Sequence, residues 1–156
     1  MTDPQAFDIE ALIPHRAPMR LVDAVRSVDE EAIETEATVR SSWPTVENGC
    51  ARTIILIEIV AQSAAALMGW RQHGTPDGRP GLLVGVPHAT LCRPLLPVGT
   101  RLLCGVRLSR SLGSYYAIDG EVHDETGHKW LVASVQAYRP DDEELKTPAS
   151  SRETEP

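Results

Sequence analysis

The stretch TIILIEIVAQSAAALMGW, residues 53–70, is the most apolar in the chain, yet it carries Glu58 and, one helical turn later, Gln62. Burying a carboxylate is costly unless it is paired, hydrogen-bonded or neutralised. Residues four apart share a helix face, so the two polar side chains form one stripe if the run is helical. Near a helix start, backbone N–H groups and the positive helix end can stabilise such a carboxylate. A purely structural glutamate, satisfied by those amides or by Arg52, fits the same residue types. The histidines are the other groups able to move protons near neutral pH. His15 lies in a Pro-His-Arg stretch, His73 ends the apolar run, His88 lies in VPHATL, and His123 and His128 flank Asp-Glu-Thr-Gly. None has a partner at the spacing of a nucleophilic triad or a metal site.

The elements that must position these groups follow from periodicity. DIEALI (8–13) reads as a short helix closed by Pro14, because the residue before a proline avoids the α region. MRLVDAVRSV reads as a strand. AIETEATVR alternates strictly, with Ile33, Thr35, Ala37 and Val39 on one face, as expected of a strand with one wet side. SSWPTVENGC is rich in turn formers and reads as a loop. The apolar run is too long for an ordinary strand and predicts a helix over about 53–72. QHGTPDGRPG breaks it. Four strands follow, GLLVGVPHATL, RLLCGVRLSR, YYAIDGEVHD and KWLVASVQAY, the later ones joined by the short turns SLGS and ETGH. A helix apolar nearly all round needs a sheet curled about it, which predicts an α+β roll. Such a sheet leaves open edges, and pairing two chains is a natural way to close them, so a dimer is expected.

Composition narrows the function class. The 156 residues suit one domain, here 1–140, with an acidic, apolar-poor tail over 141–156 that reads as disordered. Net charge is −7, which argues against nucleic acid as a partner. From Arg71 to Leu112, however, there are six arginines against the single acid Asp77, so that section could meet an anionic partner. Cys50, Cys92 and Cys104 are odd in number and form no C-x-x-C pair, which favours a reducing compartment over a disulfide or zinc framework. The acidic N-terminus lacks signal-peptide order, and the apolar run, interrupted by Glu58 and Gln62, reads as a core helix and not a membrane span. A soluble, cytoplasmic protein is expected.

Three stretches, LIPHRAPMRLVDAV (12–25), ILIEIVAQSAAAL (55–67) and CRPLLPVGTRL (92–102), stand in an order and spacing that resemble the β-hydroxyacyl-(acyl-carrier-protein) dehydratases of the hot-dog fold. GTPDGRPGLLVGV and VQAYRPDD look most like the divergent branch of that family found in aryl-polyene gene clusters. The resemblance covers roughly residues 8–140 and implies a dimeric hot-dog fold, an antiparallel sheet wrapped around one long helix. It implies that Glu58 is a catalytic general acid supported by Gln62, in a tunnel at a dimer interface. Removing water from a β-hydroxyacyl thioester takes a base for the α-proton and an acid for the departing hydroxyl, and an apolar tunnel favours the proton-holding form of a carboxyl group. Amides at the helix start would polarise the thioester carbonyl, which draws attention to Thr53, while Ala65 and Met68 would line the acyl tunnel.

The resemblance fails at two points. The family carries a histidine about fourteen residues before the glutamate; counting back without a gap here reaches Pro44, and no histidine occurs between His15 and His73. The glycine that usually opens the helix is replaced by Thr53. His15 and His88 are the substitutes for the missing base. Three readings stay open: a dehydratase of fatty acid or polyene biosynthesis, a non-catalytic acyl-binding or partner subunit, and an acyl thioesterase. All imply no cofactor of the protein's own, a substrate carried on phosphopantetheine, an acyl carrier protein as partner, and a homodimer or a heterodimer with another hot-dog subunit. Arg71, Arg79, Arg93, Arg101 and Arg110 are the candidates for meeting an acidic carrier protein.

Overall fold

The computed structural model describes residues 7–72 and 81–140. Helix α1 is a single turn, Ile9–Leu12, capped by the Asp8 carboxylate, which accepts from the Glu10 amide, and it ends ahead of Pro14. Strands β1 (Ala24–Val28) and β2 (Ala32–Thr38) form a hairpin. Two short strands, β3 (Val46–Glu47) and β4 (Cys50–Arg52), precede a 3-10 turn over Thr53–Ile55 that runs into α2, Leu56–Arg71. Then come β5 (Leu82–Leu91), β6 (Leu95–Pro97), β7 (Arg101–Leu112), β8 (Tyr115–Asp124) and β9 (Lys129–Tyr138). The main sheet has the order β1-β2-β7-β8-β9-β5, antiparallel throughout, and β3-β4-β6 form a small second sheet. This is the α+β hot-dog architecture expected from the strand pattern, one long helix lying against a curled sheet.

The two-residue periodicity decides which face of the sheet meets α2. On β2, Ile33, Thr35, Ala37 and, just beyond, Val39 are buried; opposite them on β7 are Leu102, Cys104 and Val106. From the helix come Leu56, Ile59, Val60 and Leu67, none of them measurably exposed. Each such side chain contributes roughly 1.5–3 kcal/mol on burial. The one polar seam is satisfied internally. Thr35 and Ser63 hydroxyls meet at 2.7 Å, and Ser63 donates to the Ile59 carbonyl at 2.8 Å. Burial pushes the neighbouring Cys104 thiol up to about 12, so it is an inert core group. By length and composition Thr53–Arg71 could cross a membrane, but here its apolar side chains form the core.

Four departures from the expected pattern stand out. The stretch read as a loop contains a β3–β4 hairpin whose turn is Asn48-Gly49, both with positive φ. An Asn-Gly pair is the sequence signal for such a turn. The small β6 strand was not legible at all. The helix is also not enclosed on every side: the stripe through Glu58, Ala61, Ala65 and Met68 is only half-buried. Among the described residues, four of the arginines from Arg71 onward have partners of their own. Arg71 meets Glu30, Arg101 meets Glu36 and Glu125, Arg107 meets Glu31, and Arg93 lies 5.3 Å over the Trp130 ring. Arg79, His73 and the 141–156 tail lie outside the described residues.

The helix-to-sheet distance depends on Gly120, where an added Cβ would come within 2.6 Å of Val60 Cγ1. Gly120→Ala should therefore destabilise by about 1–3 kcal/mol, and Val60→Ala should recover part of that in a double-mutant cycle read by urea unfolding. A second expectation concerns the β8–β9 turn. Hydrogen bonds from the Thr126 hydroxyl, Trp130 Nε1 and the His128 and Thr126 amides hold the Asp124 carboxyl down at about 2. A depressed carboxylate contributes stability above its unfolded value, near 4, that is lost as pH falls toward 2. Asp124→Asn should flatten that portion of the acid-unfolding curve.

Candidate active site

Gln62 is fully buried, and its amide group joins two parts of the chain. Its Oε1 accepts from the Leu21 amide at 2.9 Å and from the Val22 amide at 3.4 Å. Its Nε2 donates to the Met19 carbonyl at 2.8 Å and to Glu58 Oε1 at 3.0 Å. The segment before β1 is thereby fastened to α2, and the glutamate is fixed one turn from the helix start. Oε1 is the carboxylate oxygen that accepts from Gln62, and Oε2 is the one left for a ligand to meet. The Glu58 side chain is 36 % exposed, half in the core and half in reach of a ligand.

His15 comes to the same carboxylate from α1. Its Nε2 lies 3.5 Å from Glu58 Oε1. The turn that carries it is held by Arg16, whose guanidinium donates to the carbonyls of Ile13 (2.9 Å), His15 (2.8 Å) and Glu10 (3.0 Å). Arg20 pairs with the Glu10 carboxylate at 2.9 Å. Beneath this turn, Gly69 lets the Leu12 carbonyl pack directly on α2; a side chain there would overlap it. Periodicity could not foresee this contact, because His15 and Glu58 lie on separate elements joined only by packing.

The two groups open onto a groove of about 530 Å³ between α1, α2, the start of β5 and the ends of β8 and β9. That volume falls within the usual range of small-molecule sites. Ala61, Ala65 and Met68 form its helical floor, and Leu83, Tyr116 and Val135 stand opposite. Ala65 and Met68 thus line the groove. Thr53 does not: it is 1 % exposed, its hydroxyl donates to the Arg93 carbonyl at 2.6 Å, and its amide donates to the Pro94 carbonyl at 3.1 Å. The donor expected for a thioester carbonyl is already taken. His88 lies on the exposed β5 strand, its Nε2 3.1 Å from the Thr90 hydroxyl, and does not line the groove. Trp43, buried, fills the loop where the family's histidine was sought, followed by Pro44. Among the described residues no three His, Cys, Asp or Glu side chains converge as a metal site would require.

A partly exposed carboxyl thus stands at the mouth of an apolar groove on the central helix of a hot-dog roll. Comparison with known proteins gives the family. The ApeP-like model, described as ApeP dehydratase, matches residues 7–147. The 3-hydroxyacyl-[acyl-carrier-protein] dehydratase FabZ of Thermus thermophilus is 31 % identical over 107 residues, covering 65 % of this chain and 75 % of the relative. Among solved structures, the dehydratase heterocomplex ApeI:P from Xenorhabdus doucetiae superposes with a TM-score of 0.78 at 23 % identity, covering 89 % of this chain and 95 % of that one. The Escherichia coli PaaI protein of the phenylacetic acid degradation operon shares the fold, with a TM-score of 0.60 at 13 % identity over 77 % of this chain and 80 % of that one. The chain belongs to the ApeP-like dehydratase family, the hot-dog dehydratase branch that its motifs resemble.

Replacing Gln62 by Met would keep the volume but strip the Leu21 and Val22 amides and the Met19 carbonyl of their partner. Buried polar groups left unpaired cost about 1–3 kcal/mol each, so a loss of roughly 3 kcal/mol or more is expected by thermal or urea unfolding.

Proposed function

We propose that this chain is a subunit of a dehydratase that eliminates water from a β-hydroxyacyl thioester borne on the phosphopantetheine arm of an acyl carrier protein. The carrying observation is Glu58, held by Gln62 through Oε1 at 3.0 Å and standing at the mouth of the apolar groove. Glu58 is the general acid: its Oε2 proton passes to the departing β-hydroxyl, which leaves as water. The acyl chain runs along α2 past Ala65 and Met68, where each buried methylene adds about 0.8 kcal/mol. Thr53 plays no part in holding the thioester carbonyl.

The assembly reading rests on β5. Among the described residues it ends the sheet, pairing with β9, and exposes Leu82, Leu83, Val84 and Val86 by 39–51 %. An unpaired apolar edge of this length invites a strand from another chain. Leu82 and Leu83 also border the groove, so a partner seated on this edge would wall it in. The ApeI:P structure is a heterocomplex of this fold, which supports a second hot-dog subunit as the partner. A second reading, a partner subunit that binds but does not catalyse, is favoured by Pro44 and Trp43 in the loop where the family keeps its histidine.

The test is dehydration of a carrier-bound β-hydroxyacyl chain by the pure protein, alone and mixed with a FabZ-type subunit, followed by mass spectrometry of the conjugated product. Glu58→Gln should lower kcat by roughly 10²–10⁴-fold in whichever assembly is active. If Glu58→Gln matches wild type in that assembly, the chain is the non-catalytic partner.

A further inference from the structure

We propose that His15 is the base of this site, taking the α-proton that the family's loop histidine takes elsewhere; this rests on the reading of Glu58 as the acid. Among the described residues His15 is the histidine that reaches Glu58, with Nε2 3.5 Å from Oε1. The imidazole has one working nitrogen. Its Nδ1 is buried and has no partner among the described residues, whereas the side chain as a whole is 31 % exposed. Exposure therefore falls on the edge that borders the groove, where His15 and Glu58 line the same mouth. A base must lie within hydrogen-bond reach of the proton it takes, and a substrate carbon between these two groups meets that condition.

The surroundings are built to hold a base in place. The three hydrogen bonds of the Arg16 guanidinium go to backbone carbonyls, those of Glu10, Ile13 and His15 itself. Arg20 is neutralised by Glu10 at 2.9 Å, and Arg16 approaches the same carboxylate at 3.6 Å. Among the described residues, Glu58 on α2 is the charged group given within ion-pair distance of the imidazole. A histidine kept only as a brace would need none of this access.

The step balances without a co-reactant. His15 Nε2 accepts the α-proton, and the C–H electron pair becomes the second bond between Cα and Cβ. The Cβ–O bond breaks, and the hydroxyl leaves as water with the Glu58 proton. Imidazolium and carboxylate are left side by side, each stabilising the other, and the released water returns the proton from His15 to Glu58. Elimination is thus completed by two groups of one chain, one from the turn after α1 and one from α2.

The test uses His15→Ala in the active assembly, with circular dichroism to confirm the fold. The expected result is a fall in kcat of roughly 10²–10⁴-fold with KM changed by less than about threefold. Added imidazole should restore part of the rate, and the bell-shaped pH profile of the wild type should lose one limb. A rate that falls but is not restored by imidazole, with the bell intact, overturns the assignment, as does an unchanged rate. If either occurs while Glu58→Gln is inactive, the base lies on the partner subunit and the reading of Glu58 stands. If Glu58→Gln is also fully active, both fall.

Discussion

Everything at this site depends on one buried amide. The Gln62 side chain uses its oxygen and its nitrogen at once, the first on the Leu21 and Val22 amides, the second on the Met19 carbonyl and Glu58. A buried group that satisfies four neighbours cannot move without leaving several unpaired, and that cost keeps the Met19–Val22 segment on the helix. The same group orients Glu58, so structural order and candidate chemistry share a single side chain. Had Gln62 been apolar, the helix could still pack, but the approach to β1 and the carboxylate would both be loose.

Around this point the fold divides α2 between two tasks. The side facing β2, β7, β8 and β9 is packed to van der Waals contact, with Gly120 allowing Val60 its close approach and Thr35 meeting Ser63 across the seam. The other side is left half open, and small residues there, Ala61 and Ala65, make room for the groove. This explains the composition of the helix. It is apolar nearly all round because one face is core and the other faces a groove lined by carbon. A carboxylate on the second face is tolerated because it is hydrogen-bonded and partly wet.

The architecture also accounts for the chain's departure from the family pattern. The segment before α2 is occupied by a tight hairpin through Asn48-Gly49 and by the buried Trp43, which commits it to packing. The turn after α1 takes the position facing the carboxylate instead, braced by Arg16 and by the absence of a side chain at Gly69. The arginines of the middle section serve a local purpose too. Arg71, Arg101 and Arg107 each meet an acid across the sheet or on a neighbouring loop, which offsets part of the charge excess visible along the sequence.

Much of the framework was legible from residue order. Period-two alternation marked the buried faces of β2 and β7, because a strand turns every second side chain the same way. The long apolar run, interrupted by two polar residues, read as a core helix, and the four-residue spacing of Glu58 and Gln62 put them on one stripe. The Asn-Gly turn was available as a signal and gives the hairpin. The tertiary structure alone decided the rest. That His15 faces Glu58, that Thr53 spends its donors on Arg93 and Pro94, and that His88 lies on an outer strand are matters of packing between distant segments. Periodicity reports which way a side chain points from its own element; it carries no information about which other element arrives there.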